Sequence, residues 1–227
     1  MTRTLPITTE NQMNRSVAFW DKASKNYDKT EGRFEYIHSK SRENTKKHLT
    51  FSDIVLDYGC GTGTTSCELA GLVREIHAID ISSKMIQAAK EKADASNVEN
   101  VSFVQADIFD ERYKEESFDA ILAFNMLHTV PNPRDAVKRV HELLKPKGLF
   151  ISVTPCLRGK MSFLVNLQIQ LVRILCSVGI IPIPIRRLRS TELDDLVTKG
   201  NFEPIETEEI YQGASSYFVV ARKTHKR

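Results

Sequence analysis

The sequence predicts an α/β fold in which a doubly wound, mostly parallel sheet lies between two layers of helices. Apolar runs of strand length alternate with helical patterns between residues 53 and 155, and the first run ends in a glycine-rich turn. The 227 residues are enough for one such domain, and 41% hydrophobic and 27% charged residues are ordinary values for a globular protein. We therefore treat residues 1–227 as a single domain.

A helical pattern precedes this alternation. It begins at Asn11, and Val17, Trp20, Ala23 or Ser24, and Tyr27 recur every three or four residues. We expect residues 11–50 to form an N-terminal helical cap.

Residues 53–155 form the predicted core. We expect strands at 53–57, 75–80, 101–106, 118–124 and 149–153, with helices at 64–72, 83–95 and 135–144. Ser82 or Ser83 can cap the second of these helices, and Pro146 and Gly148 mark the end of the third. Strands that alternate with helices in this way pair in parallel.

The rhythm changes after Pro155. A helix is expected over Met161 to Ser177, with one narrow polar stripe and an otherwise largely apolar surface, so that it needs cover on more than one side. We predict that the insert 156–189 forms an apolar lid, with packing in the core or between two copies as the alternative. Residues 190–227 then supply a short helix that begins near Thr191, capped through Asp194, and two antiparallel edge strands at 205–211 and 217–222.

The first strand ends in Asp57, followed by a turn that contains Gly59, Cys60, Gly61 and Gly63. Glycines allow a ligand to approach the backbone, and the free N–H groups of the next helix favour a carboxylate. Asp57 could attract an ammonium, so the turn suits an amino-acid moiety; a purely structural tight turn is the alternative. The spacing G-x-G-x-G lacks the final glycine of the dinucleotide fingerprint.

Acidic residues also follow the next two strands. Asp80 ends the second strand, where a carboxylate can accept hydrogen bonds from both hydroxyls of a ribose; capping the next helix is its alternative role. Asp107 and Ile108 follow the third strand and suit an adenine amine and its ring. The ligand-binding residues of such sheets lie at the carboxyl ends of the strands.

In this order, the motifs resemble those of class I S-adenosylmethionine-dependent methyltransferases, most closely the small-molecule branch that includes ubiquinone- and menaquinone-biosynthesis methyltransferases. The motifs are Asp57 to Gly63, Asp80, Ala106 to Ile108, Phe118-Asp119 and Leu144 to Leu149. The resemblance covers about residues 15–155. It implies a Rossmann-like methyltransferase fold, a seven-stranded sheet with an antiparallel last strand.

The resemblance also implies the cofactor, S-adenosylmethionine, which leaves as S-adenosylhomocysteine. The glycine turn would line the methionine moiety, the carboxylates would hold the ammonium, ribose and adenine, and the segment around Tyr27 would fold over the cofactor. Core packing is the alternative role of Tyr27. The implied cofactor-binding residues are Tyr27, Asp57, Gly59, Cys60, Gly61, Gly63, Asp80, Ile81, Met85, Asp107, Ile108 and Asn125.

In-line transfer of an already activated methyl group mainly requires a well-positioned acceptor. Some acceptors must also lose a proton, and His128, just after the fourth strand, is the candidate base; contact without proton transfer is the alternative. The remaining histidines, His38, His48, His77, His141 and His225, show no paired spacing, and we predict no metal site.

We expect a small, apolar acceptor, such as a quinone precursor, an isoprenoid or a fatty compound. Asn125 to His128 lacks the Asn/Asp-Pro-Pro-aromatic run that methyltransferases of base and glutamine amines share, and the net charge is only +3, so no nucleic-acid partner is predicted. Asn166, Gln168, Gln170 and Arg173 interrupt the apolar insert, which disfavours a membrane span. Contact with a membrane surface, helped by Arg186, Arg187 and Arg189, and a homodimer both stay open.

Two other functions remain as alternatives. An NAD-dependent oxidoreductase on a Rossmann-like sheet is disfavoured by the glycine spacing. A non-catalytic S-adenosylmethionine-binding protein could have the same sequence features. The four cysteines lack ligand or disulfide spacing and residues 1–10 lack a secretory pattern, so we expect a cytoplasmic protein.

Overall fold

The structure, a computed structural model, describes residues 9–224, and the last part of the basic run that begins at Arg222, with His225, lies outside them. The helices are α1 Thr9–Ala23, α2 Tyr27–Glu31, α3 Glu35–Lys46, α4 Thr64–Leu69, α5 Ser83–Ala95, α6 Pro133–Leu143, α7 Phe163–Ser177 and α8 Ser190–Lys199. The strands are β1 Ile54–Tyr58, β2 Glu75–Asp80, β3 Val101–Gln105, β4 Phe118–Phe124, β5 Leu144–Pro155, β6 Phe202–Tyr211 and β7 Ser215–Lys223.

All seven strands form one sheet in the order β3-β2-β1-β4-β5-β7-β6. Strand β1 pairs in parallel with both β2 and β4, so that Asp57 lies between Ala78 and Leu122. Only β7 runs antiparallel, between β5 and β6. The predicted fold, with its antiparallel last strand, is confirmed, and the strand order changes direction between β1 and β4.

Both faces of the sheet are buried. Alternate residues of each strand enter opposite apolar clusters, so that Leu56 and Ile121 pack on one side while Val55 and Leu122 pack on the other. Side chains that are buried on both faces are typical of parallel sheets covered by helices. The two layers therefore hold the central strands, and their carboxyl ends, in fixed positions.

Strand β5 begins five residues earlier than the sequence predicts. Helix α6 ends at Leu143, and Leu144 already pairs with Phe118 before a register shift. The Pro/Gly segment was expected to form a loop, but Lys147 adopts a left-handed φ of 67° and the chain stays in the sheet. The Nζ atom of Lys145 also donates to Oδ2 of Asp119 at 2.7 Å, which holds this irregular segment against β4.

Helix α7 is covered on one side only. Val165, Ile169, Val172 and Cys176 are partly buried, whereas no residue of the helix is fully buried and Phe163 is 79% exposed. Residues 9–224 do not supply the expected cover on more than one side. Within residues 9–224, no helix is both long and apolar enough to cross a membrane.

Helix α8 begins with a different cap from the predicted one. The backbone N–H of Arg189 donates to Oε2 of Glu192 at 2.8 Å, so Glu192 rather than Asp194 supplies the capping carboxylate. Asp194 instead accepts a hydrogen bond from the Tyr217 hydroxyl at 2.8 Å, which ties α8 to β7.

Replacing Gly63 by alanine should destabilise the fold. Gly63 has a φ of +77°, and a Cβ there would lie 2.8 Å from both Cβ of Ala89 and Cε1 of Phe103. Backbone strain and overpacking together should lower the free energy of unfolding by about 2–4 kcal/mol, measured by urea denaturation. Gly71→Ala is the matched control, because nothing lies within 4 Å of its Cβ position. Equal stability of the two variants would contradict this packing role.

Candidate functional site

Two neighbouring cavities lie at the carboxyl ends of β1 and β4, where the strand order changes direction. We call them the polar cavity, of about 240 Å³, and the apolar cavity, of about 290 Å³. Tyr27, Gly59, Phe124 and Asn125 line both cavities and form the boundary between them. This edge of an open parallel sheet is the usual place for a ligand.

The glycine turn forms the floor of this boundary. Gly59 and Gly61 have left-handed φ values of 76° and 54°. The turn is tied to β2 because the backbone N–H of Gly59 donates to the carbonyl of Ile79 at 2.8 Å. A Cβ on Gly61 would lie 3.1 Å from the Tyr27 ring, so the glycine allows the ring to rest directly on the backbone. Gly63 packs against α5 and β3 and lines neither cavity.

Asp80 holds the ends of β1 and β2 together and faces the apolar cavity. Its Oδ2 accepts from the N–H of Gly61 at 3.1 Å, and its Oδ1 accepts from the N–H of Ser82 at 2.8 Å. The side chain that caps α5 is Ser82, which accepts from the N–H of Met85 at 3.1 Å. Burial raises the pKa of Asp80 to about 6, although the two backbone N–H groups oppose that shift.

One group of residues that line the apolar cavity contains most of the residues predicted to hold an adenosine. We call the part of the cavity that they line its inner part. Ile81, Met85 and Asp107 line it together with Asp80. Ile108, by contrast, is completely buried in the core, and the exposed neighbour that reaches the cavity is Phe109. The Oδ1 atom of Asp107 accepts from the N–H of Phe109 at 2.9 Å, which turns the chain so that Phe109 faces the cavity.

We call the remainder of the apolar cavity its outer part. It is lined mainly by hydrophobic side chains from three separate segments. They are Met13 and Trp20 of α1, Met126 and Val130 after β4, and Ile183 of the insert. The hydroxyl of Ser16 donates to the carbonyl of Pro182 at 3.4 Å, so α1 and the insert meet at this end. Of the predicted lid, the residue that lines the cavity is Ile183, which follows α7.

Asp57 is buried in the wall of the polar cavity. It is 2% exposed, and its Oδ2 accepts from the hydroxyl of Ser66 at 2.5 Å. Among residues 9–224, no basic side chain forms an ion pair with it. Burial raises its pKa to about 6. Cys60 lines the same cavity, where burial raises the pKa of its thiol well above the usual value.

Glu31 and His38 also line the polar cavity, and neither was predicted from the sequence as a site residue. Oε2 of Glu31 lies 3.1 Å from Nε2 of His38, and Nδ1 of His38 accepts from the Asn125 amide at 3.1 Å. The Nε2 atom is buried and lacks a hydrogen bond of good geometry within the described chain. Burial, followed by the charges of Asp28 and Glu35, raises the pKa of Glu31 to about 7.

The other two carboxylates of the N-terminal segment in this cavity already have cationic partners. Lys92 lies 3.0 Å from Asp28, and Arg42 lies 2.7 Å from Glu35. Asp28 also accepts a short hydrogen bond from the hydroxyl of Thr62, next to the glycine turn. Glu31 and Asp57 are therefore the two carboxylates of the polar cavity without a Lys or Arg partner among the described residues.

The N-terminal helices cover the glycine turn through specific contacts. Oδ1 of Asp21 accepts from the hydroxyl of Ser82 at 2.6 Å and from the N–H of Lys84 at 3.1 Å. The rings of Trp20 and Tyr27 meet edge to face with centroids 6.4 Å apart. Tyr27 thus packs against α1 and also borders both cavities. Its position is compatible with core packing and with the predicted cover of the cofactor.

The structure does not bring His128 to either cavity. Its Nδ1 atom is buried without a hydrogen-bond partner in the described part of the chain, and its backbone carbonyl accepts from the N–H of Arg186 at 2.8 Å. Burial lowers the pKa of His128 to about 4. A proton acceptor must reach the reacting atom, and His128 is not among the residues that line the two cavities, so its role as a base stays a prediction.

The residues present fit the cofactor that the sequence predicts. The amino-acid moiety of the cofactor, which carries both an ammonium and a carboxylate, suits the polar cavity. Its ammonium can pair with the buried Asp57 or the half-buried Glu31, neither of which has a Lys or Arg partner among the described residues. The uncharged adenosine suits the inner apolar cavity, where Asp80 and Asp107 offer hydrogen-bond acceptors beside Met85.

Comparisons with known proteins agree with this site. The family described as "Methyltransferase domain" matches residues 50–201, which include the glycine turn, Asp80, Asp107 and Asn125. The ubiquinone biosynthesis O-methyltransferase of Glaesserella parasuis is 30% identical over 149 residues, which cover 61% of this chain and 63% of that protein. The demethylmenaquinone methyltransferase of Staphylococcus aureus is 33% identical over 99 residues, 42% of this chain and 40% of that one.

The chain spans about half the length of the curated relatives it matches. Among solved structures, the DhpI-SAH complex has a TM-score of 0.73 at 18% identity and covers 96% of this chain and 100% of its own. An identity this low shows the shared fold alone. Because the family match extends over more than half of the sequence, the chain belongs to the methyltransferase-domain family.

Proposed function

We propose that the chain transfers a methyl group from S-adenosylmethionine to a small, apolar acceptor by in-line displacement. One observation carries this proposal: a polar cavity, in which two carboxylates have no Lys or Arg partner among the described residues, meets an apolar cavity at Tyr27, Gly59 and Asn125. A ligand could place its charged end in the polar cavity and its adenosine in the apolar cavity. Its central atoms would then face the apolar cavity.

The bound cofactor supplies a methyl group already activated by a positive sulfur. The chain's residues then bind and orient. Asp57 and Glu31 attract the ammonium, Asp80 accepts from the ribose hydroxyls, and Asp107 accepts from the adenine amine. Tyr27 excludes water from the glycine turn, because its ring rests against Gly61. Positioning of this kind can lower the barrier by roughly 7–11 kcal/mol in favourable systems.

The acceptor would enter the outer part of the apolar cavity. Trp20, Met126 and Ile183 offer it hydrophobic contact, and the two curated relatives described above are named for ubiquinone and demethylmenaquinone chemistry. A ring or chain of that apolar kind fits this lining. The cofactor would supply the methyl group: the methyl–sulfur bond would break with its electron pair left on sulfur, and the methyl carbon would bond to the acceptor atom.

Substitution of Asp80 should weaken cofactor binding. We expect calorimetry to show binding of S-adenosylmethionine and S-adenosylhomocysteine but not of NAD. Asp80→Ala should weaken the binding of both by about 10- to 100-fold, because it removes a charged hydrogen-bond acceptor. Asp80→Asn keeps one acceptor oxygen for the N–H of Gly61 but turns an amide NH2 group toward the N–H of Ser82, so it should weaken binding less than Asp80→Ala does.

Asp94→Ala, at an exposed position near the end of α5, is the matched control for this test and should bind as the unaltered protein does. Absence of binding to a folded sample would overturn the proposed function. Binding of NAD in its place would favour the oxidoreductase.

Cofactor binding should release protons at neutral pH. Glu31 has a pKa of about 7, so about half of it is protonated at pH 7. A bound ammonium favours the carboxylate and lowers that pKa, so binding should release about half a proton from Glu31 and tighten as the pH rises from about 6 to 8. Calorimetry in two buffers with different ionisation enthalpies measures the release.

Glu31→Gln should remove about half a proton from that release at pH 7, while Glu43→Gln, on the exposed side of α3, should leave it unchanged. The same release in both variants would show that Glu31 does not meet the bound cation. The charged neighbours of Glu31 are Asp28, Glu35, His38 and Arg42, and none of these four is altered in the two variants.

The outer apolar cavity should bind an apolar ring. Trp20 is the only tryptophan and lines this cavity, so quenching of its fluorescence by 1,4-naphthoquinone reports occupancy. Met13→Asp should weaken quenching by about tenfold, because it places a charge beside the ring. Phe163→Asp should have no effect, since Phe163 is 79% exposed and lines neither cavity. If Phe163→Asp abolished quenching while Met13→Asp retained it, helix α7 would be the lid over the cavity.

A further inference from the structure

Helix α7 carries a second apolar face that no residue in the described part of the chain covers. At 3.6 residues per turn, its exposed hydrophobic side chains fall within an arc of about 100°. They are Phe163 at 79%, Leu164 at 69%, Leu167 at 59%, Leu171 at 57% and Ile174 at 59% exposure, and Val178 and Ile180 continue the surface at 63% and 67%. We call these seven residues the apolar face.

This face is separate from the surface with which α7 packs on the protein. Val165 and Ile169 point to the opposite side and are partly buried, and the Val165 side chain lies against the turn between β6 and β7 at Gly213. The polar residues Asn166, Gln170 and Arg173 separate the two faces along one edge. A helix that is already packed on one side and apolar on the other is suited to a second contact.

The charge of the insert indicates which kind of surface the apolar face contacts. Residues 156–189 contain six Lys and Arg and no Asp or Glu, whereas the whole chain has a net charge of only +3. The remaining residues therefore carry a net charge of −3. The Arg158 side chain pairs with Glu192 at 3.5 Å. The side chains of Lys160, Arg173 and Arg189 are exposed and form no ion pair with a carboxylate in the described chain.

The insert also connects the apolar face to the lining of the apolar cavity. The chain turns at Gly179, whose carbonyl accepts from the Arg15 guanidinium at 2.8 Å, and Ile183 then enters the cavity wall. A second copy of the chain would bring another +6 insert against the first, which the charge disfavours.

We propose that the apolar face of α7 docks on the surface of an anionic lipid bilayer, with the basic residues of the insert at the level of the headgroups. Helices that lie in the membrane interface combine a buried apolar face with Lys and Arg at its border. Lipid phosphates attract the cations, and the apolar side chains enter the boundary of the acyl chains. This proposal does not depend on the identity of the cofactor or the acceptor.

Vesicle sedimentation of the full chain tests the proposal. We expect binding to phosphatidylcholine vesicles in which about a third of the lipid is phosphatidylglycerol, and much weaker binding to phosphatidylcholine alone. Binding should fall as salt rises, because salt screens the charges. The double variant Leu167→Ser with Leu171→Ser should weaken partitioning by on the order of tenfold or more. Arg173→Glu should weaken it while leaving the fold unchanged.

Matched controls keep the test specific. Phe51 is 76% exposed in the loop before β1, so Phe51→Ser removes an exposed hydrophobic side chain far from the apolar face and should bind vesicles normally. Lys90→Glu, on the exposed side of α5, makes the same charge change as Arg173→Glu and should also bind normally. Sedimentation velocity without lipid reports self-association.

Three results would overturn the proposal. They are absence of binding to both kinds of vesicle, equal binding to neutral and anionic vesicles, and a stable dimer in solution that the leucine double variant dissociates. The last result would assign the apolar face to a second copy of the chain.

Discussion

The geometry of the site depends on one hydrogen-bonded junction between two parallel strands. The carboxylate of Asp80, at the end of β2, accepts from Gly61 in the turn after β1 and from Ser82 at the start of α5. The turn can reach this carboxylate because Gly59 and Gly61 adopt left-handed conformations. The same carboxylate faces the apolar cavity, so one residue both shapes the turn and offers an acceptor to a ligand. Buried carboxylates whose ionised form is costly are typical of ligand sites.

The sequence was most informative where local pattern and tertiary packing favour the same structure. Strands β2 and β4 and helix α5 have the predicted ends, because apolar runs and a serine cap mark them locally. Strand β5 was predicted too short, since Pro146 and Gly148 indicate a loop while pairing with β4 and the Lys145–Asp119 contact keep the segment in the sheet. Residues 9–224 leave one face of α7 exposed, and helical periodicity alone contains no information about what covers a helix.

The candidate site could be predicted where it follows strand ends, and less well elsewhere. Ten of the twelve predicted cofactor residues line a cavity, whereas Gly63 and Ile108 serve packing. Glu31 and His38 escaped prediction because their position depends on how α2 and α3 cross the glycine turn. A signal was nevertheless present: Tyr27, Glu31, Glu35, His38 and Arg42 recur every three or four residues, which places them on one helical face. A polar helical face in a predicted cap indicates a site beneath it.

The boundary between the two cavities also limits where chemistry can occur. Asn125 borders both cavities with a left-handed φ of 54°, while its backbone N–H donates to Val153 at 2.8 Å and its side chain contacts His38. These contacts fix it between the charged and the apolar parts of the site. Under the proposed function, the positive charge of the cofactor is attracted to the polar side, and the acceptor finds most of its hydrophobic contacts on the other. The transferred group must therefore cross at this boundary, where Tyr27 excludes water on one side and Met126 does so on the other.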